Sequence, residues 1–131
     1  MNPEHVAIVR AGKAEITRWR TEHQADRLEL SRADFKGADL SGLNLSRADL
    51  TAADLSGATL TEADFSEATL YKARLAGACL LRTTLYRANL AEADLSGADL
   101  RGASMYRTIL RGAITAGADF TGAAMLKVAI L

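Results

Sequence analysis

From Ala33 onward, apolar and polar positions follow a pattern that repeats every five residues: ADFKG, ADLSG, LNLSR, ADLTA, ADLSG and so on. In most units the first and third residues are apolar and the second is polar; the fourth and fifth are mostly small or polar. The third residues, the centres, are Phe35, Leu40, Leu45, Leu50, Leu55, Leu60, Phe65 and Leu70, continuing through Leu110 to Phe120, Met125 and Ile130. Thr115 is the one polar centre. A period of five fits neither the 3.6 of a helix nor the 2.0 of a strand. Within a unit, however, the alternation is that of a short strand, and the two residues that follow allow a bend. Strand and bend at one fixed spacing coil the chain into a parallel β-solenoid.

A longer period is superimposed. Gly37, Gly57, Gly77, Gly97 and Gly117 occupy the fifth position of every fourth unit, and no other fifth-position column is so uniform. Four units then make one coil, the section is square, and these glycines stack along one corner, which is expected to need their tolerance of positive φ. Roughly 100 residues at about 20 per coil give about five coils and, at ~4.8 Å per stacked strand, a rod of about 25 Å.

Residues 1–27 lack the period. Asn2-Pro3-Glu4 reads as a helix start, with Asn at the N-cap, Pro at the first helical position and an acid in the first turn. Val6, Val9, Ile16 and Trp19 then fall on one stripe of a single short amphipathic helix with Gly12 inside it. Thr21 to Arg27 reads as a polar connector. The domain division is therefore 1–27, cap and connector, and 28–131, repeats.

These repeats resemble those of the pentapeptide-repeat proteins, whose unit is close to A-D/N-L-x-x. The resemblance covers about Leu28 to Leu131. Val9–Gly12, Arg18–Arg20 and the repeats that follow resemble the helix that caps the first coil in many members. It implies an all-β solenoid: a right-handed quadrilateral parallel β-helix. Leu43, Thr83, Thr108 and Val128 stand where Ala is expected, and Thr115 where a large apolar residue is. Local irregularity is expected there, mostly near the C-terminal end.

Composition narrows the function classes. The chain is 49% hydrophobic but only 5% aromatic, so its core is built of Leu and Ala. The formal net charge of zero gives no overall pull toward nucleic acid or membrane. The zero hides a split, since acids dominate residues 28–69 and bases dominate 70–131. That split reads either as steering of a partner or as a solvated surface of drifting composition. There is one cysteine, Cys79, so no intramolecular disulfide is possible. No signal peptide and no membrane-length apolar run is visible, and a soluble cytoplasmic protein is the default expectation.

With first and third residues inside, the outer residues sort into columns one coil apart. Arg74 falls between Asp54 and Asp94. On another side Tyr86 and Tyr106 stack beside Arg87 and Arg107, either as a contact face for a partner or as cross-coil packing. Ile109, Ile114, Leu126 and Leu131 take outward positions at the end, which suggests a homodimer joined there. His5 and His23 both lie outside the repeats, and no catalytic, metal or cofactor motif is present. The expectation is a non-catalytic scaffold for an unidentified protein partner, with no cofactor and no direct nucleic-acid binding. The resemblance supplies an alternative, a duplex-DNA mimic that modulates a type II topoisomerase and confers quinolone resistance.

Overall fold

A computed structural model describes every residue from Met1 to Leu131. Its organising feature is a set of single-residue parallel bridges, from Glu29↔Asp49 to Ile109↔Ala129, each joining residues 20 positions apart. Every bridge falls on the second residue of a unit, and the fourth and fifth residues turn the chain. Four units therefore complete one circuit, with one unit on each of four sides.

The backbone bonding repeats with the sequence. The third residue's N–H donates to the second residue's carbonyl one coil on, as Leu55 does to Arg74 at 2.7 Å. The second residue's N–H donates to a first-residue carbonyl one coil back, as Asp54 does to Ala33 at 2.9 Å. The fifth residue's N–H donates to a fourth-residue carbonyl one coil on, as Gly57 does to Ala76 at 3.0 Å. Each corner is closed by a turn such as Ala58 N–H to the Leu55 carbonyl at 3.0 Å. Stacking thus satisfies the polar backbone that a narrow coil would otherwise bury unpaired.

The core is the column of centres from Leu30 to Leu110, all buried, flanked by first-position residues that are buried from Leu28 to Thr108 except for half-buried Ala38. Two expectations are corrected here. Leu43, Thr83 and Thr108 cause no irregularity, since their coils keep the bridge register. Thr83 Oγ1 donates to the Leu60 carbonyl at 2.9 Å and Thr108 Oγ1 to the Leu85 carbonyl at 2.6 Å, so each hydroxyl is satisfied inside the core. The glycine corner is also not special in conformation. Fifth residues at all four corners have positive φ, including Arg47 at 59°, Ala52 at 57°, Glu62 at 60° and Lys72 at 57°. The turn geometry demands the left-handed conformation everywhere, and long side chains adopt it at some cost.

The cap is two helices rather than one, α1 (Pro3–Ala11) and α2 (Lys13–Glu22), so the polar connector is shorter than expected. Asn2 caps α1, its Oδ1 accepting from the N–H groups of Glu4 and His5. Gly12, at φ 102° and ψ −164°, ends α1 and starts α2 in a conformation that glycine alone adopts readily. The kink lays Val9, Ile16 and Trp19 onto the end of the core, all three buried.

The cap also supplies the hydrogen bonds of a missing coil. The Asn2 N–H donates to the Glu29 carbonyl at 3.0 Å, and the Glu29 N–H donates to His5 Nδ1 at 2.8 Å. Arg10 donates to the Asp34 carbonyl. Arg20 donates through Nε to Asn44 and through Nη2 to Ser46, both carbonyls at 2.9 Å. Those carbonyls are second- and fourth-position groups, which farther along accept from the coil before. An exposed edge of the coil is thereby covered.

Candidate functional site

The tyrosines lie on the side whose centres are Leu45, Phe65, Leu85, Met105 and Met125. Stacking one coil apart brings Tyr86 and Tyr106 into a parallel pair, 5.6 Å between centroids and 4° between planes. The Arg87 guanidinium lies 5.5 Å from the Tyr86 ring centre and that of Arg107 lies 5.4 Å from the Tyr106 centre. Lys127, the next residue of the column, brings its ammonium to 5.9 Å from Tyr106. The coil therefore gathers all four residues singled out from sequence, together with Lys127. Arg107 beside its hydroxyl, and then the charges of Lys127 and Arg87, hold Tyr106 below the ordinary tyrosine pKa, and Tyr106 in turn raises Arg107.

Three arginines elsewhere on the coil are ion-paired, whereas Arg32, Lys36, Arg47, Lys72 and Arg111 are not. Arg74 meets Asp54 at 3.7 Å, Arg82 meets Glu62 at 3.2 Å and Arg101 meets Asp99 at 2.8 Å. The first of these joins Arg74 to one of the two carboxylates that flank it in its column. Arg87, Arg107 and Lys127 form no ion pair.

Sequence reasoning missed what the second-position acids do. They point outward, but their Oδ1 atoms accept the N–H two residues on: Asp34 from Lys36 at 3.0 Å, Asp64 from Ser66 at 2.9 Å, Asp94 from Ser96 at 2.9 Å. A following Ser or Thr hydroxyl often adds a second bond, as Ser96 Oγ does to Asp94 at 2.6 Å. The signal was present as Asp or Asn two residues before the turn, the pattern of an Asx turn. These bonds hold Asp39, Asp54, Asp94 and Asp119 below the usual carboxylate range, while Asp99 is lowered first by the Arg101 side chain. The acidic half of the coil is in part turn chemistry.

At the C-terminal end Leu110 is the last buried centre. Of the four apolar residues expected there, Ile114, Leu126 and Leu131 are exposed and Ile109 is half-buried. The end also uncovers residues that the repeat assigns to the core, Met125 and Ile130, with Phe120 and Val128 half-buried. The N–H groups of Thr115, Phe120 and Met125 find no backbone acceptor.

The remaining reactive side chains are dispersed. Cys79 is half-buried, with Sγ 3.4 Å from Thr61 Oγ1. His23 stacks on Trp19 and His5 meets it edge-on, each ring centre 5.0 Å away. No three His, Cys, Asp or Glu side chains gather as a metal site would require. The surface hollows all border the cap, and none opens along the later coils. No helix is long and apolar enough to cross a membrane.

A four-sided parallel coil with an Asx turn at many of its corners, helically capped at one end, defines the class as a β-solenoid built on a five-residue unit. The sequence matches the family model described as Pentapeptide repeats over residues 29–66, 48–85, 78–114 and 88–125, and the chain belongs to that family. Among solved structures it is similar to a pentapeptide repeat protein, Rfr23, from the cyanobacterium Cyanothece 51142, with 30% identity over 82% of this chain and 67% of that one, at a TM-score of 0.44. It is likewise similar to the pentapeptide repeat protein alr5209 from Nostoc PCC 7120, with 33% identity over 82% and 74% of the two chains and a TM-score of 0.46. QnrB1, a plasmid-mediated fluoroquinolone resistance protein, shows 22% identity over 72% of this chain and 56% of its own, at a TM-score of 0.47. A comparison with curated proteins returns no match.

Proposed function

We propose that this chain is a non-catalytic scaffold that binds a protein partner through the side carrying Tyr86, Arg87, Tyr106 and Arg107. The observation that supports this reading is contrast within one surface. Elsewhere many second-position acids are tied into turns and Arg74, Arg82 and Arg101 are paired, whereas this side stacks two aromatic rings beside three cations at successive levels, none of them in an ion pair. Aromatic and Arg side chains are the residues that binding surfaces favour. The test is a photo-crosslinking residue placed at Ser66, beside the tyrosines, and at Ser96, on the opposite side. In native lysate the Ser66 variant is expected to form a discrete protein adduct that the Ser96 variant does not. Equal labelling from both sides, or none, would reject the face.

The topoisomerase alternative draws on the family resemblance. A duplex mimic must carry negative charge along its length. Here the second half of the coil is basic and part of the acidity in the first half serves the turns. Supercoiling by gyrase in the presence of the protein decides the matter: inhibition, or protection from a quinolone, would displace the scaffold reading.

A homodimer through the last coil is a second proposal, supported by the exposure of Met125, Leu126 and Ile130 together. Such a cluster is more apolar than a solvated end requires. Sedimentation at micromolar concentration is expected to show a dimer that Leu126→Asp dissociates, and a monomer insensitive to that change would remove the proposal.

A further inference from the structure

Building on the scaffold reading, we infer that the Tyr86–Tyr106 side receives an acidic helix lying along the coil axis, with carboxylates at i, i+4 and i+7 meeting Arg87, Arg107 and Lys127. The argument starts from charge. These three cations occupy consecutive levels of one column with no carboxylate between them; Glu67 lies one coil before Arg87 but makes no ion pair with it, whereas Arg74, Arg82 and Arg101 are each bridged to an acid. Like charges repeated at coil spacing repel one another, and an external anion relieves that repulsion.

Spacing then selects the form of the anion. Levels of a parallel coil are about 4.8 Å apart, so Arg87 and Lys127 are separated by about 10 Å along the axis. On a helix, i and i+7 are also about 10 Å apart, and i and i+4 are neighbours at about 5–6 Å. A strand places same-face side chains at about 7 Å intervals, so three acids on it would span about 14 Å and lose register.

Ring access separates protein from nucleic acid. Single strands bind by stacking bases on free aromatic faces. Tyr106 has Tyr86 against one face, and the Arg107 and Lys127 cations also lie over its ring. The tyrosines therefore offer edges and hydroxyls, which suit a helix surface better than a base.

The experiment uses the full chain and two fluorescein-labelled, Ala-rich peptides of equal composition, one with Glu at i, i+4 and i+7 and one with the same acids at i, i+2 and i+4. Fluorescence anisotropy at physiological salt is expected to favour the first by about tenfold. Arg107→Glu is expected to weaken it by about tenfold or more, while Arg74→Glu, an equal change of net charge on the opposite side, shifts it less than about twofold. Arg107→Gln, with an unchanged thermal melt, guards against a folding artefact. Equal affinity for both peptides, equal effects of the two reversals, or displacement of the peptide by single-stranded oligothymidylate would overturn the inference. A Ser66 crosslink to a partner that the acidic peptide fails to displace would refute the helix while leaving the scaffold face standing; no crosslink at all would remove both.

Discussion

Replacing Arg20 by Met tests whether the cap acts as a surrogate coil. The substitution keeps the apolar stem and removes the guanidinium, which donates to the carbonyls of Asn44 and Ser46, each at 2.9 Å. Hydrogen bonds to a charged group contribute about 1.5–3 kcal/mol each. Part of that is offset, because burial first, and the neighbouring Arg47 charge second, lower the Arg20 pKa and so mark a cost of holding it charged. The net loss is expected to be about 2–3 kcal/mol, which at a urea m-value of about 1–3 kcal/mol/M lowers the midpoint by roughly 1–2 M. The loss is also local, since solenoid coils contact only their neighbours. Protection of the Leu45 amide, bonded to the Asp64 carbonyl at 2.8 Å, should fall while that of Leu75, in mid-coil, holds. Arg20→Lys keeps the charge but not the fork and should recover no more than about half. An unmoved midpoint with Leu45 protection intact would show that apolar contacts alone hold the cap, and the surrogate-coil reasoning would fail.

Three further outcomes are expected. His5→Phe leaves the Glu29 N–H, now 2.8 Å from Nδ1, without an acceptor, so its exchange should accelerate and stability fall by about 1 kcal/mol, whereas a Glu29 amide protected as before would mean that water serves equally well. Gly77→Ala should cost no more than about 1 kcal/mol in a thermal melt, because a Cβ there meets nothing within 4 Å and only the left-handed φ of 68° is penalised; a loss above about 3 kcal/mol would reveal a steric demand at that corner. Asp39, Asp54, Asp94, Asp99 and Asp119 all have lowered folded-state pKa values, so their contribution is present above the ordinary carboxylate range near 4 and is lost as pH falls through the lower folded values. The difference in urea midpoint between the protein and Asp94→Asn should thus be constant from about pH 7 to 5 and narrow below about pH 4, and a difference unaltered at about pH 3 would contradict the turn assignment.

Much of the fold was legible because a repeat multiplies a weak signal. One A-D-L-S-G unit is only a short alternation, but the same centre recurring from Phe35 to Ile130 leaves few ways to bury every Leu at once. The candidate face was legible only as a column, Tyr86 with Tyr106 and Arg87 with Arg107, because the 20-residue period converts sequence distance into adjacency. The conformation of the corners was misread from glycine. Its presence in one column suggested a special turn, yet Arg47, Ala52 and Glu62 adopt the same positive φ. Propensity records which residue is cheapest at a site, while chain closure decides which conformation the site must have.

What the sequence determined by itself is therefore the periodic part: the inward residues, the four-unit circuit and the pairing of outer columns, all consequences of one local rule repeated. What only the tertiary structure decided lies where the repeat stops or where a side chain turns back on its neighbours. The kink at Gly12, the guanidinium of Arg20 and the imidazole of His5 meeting first-coil backbone groups, and the uncovered Met125 and Ile130 are events at ends, which no period describes. The engagement of Asp94 with Ser96, and the missing counter-charge beside Arg107, depend on atoms brought within about 3–4 Å by coiling. Hydrophobic periodicity sets which face is buried over the whole chain, but hydrogen bonds and ion pairs act over a few ångströms, so their partners are settled only once the coil has closed.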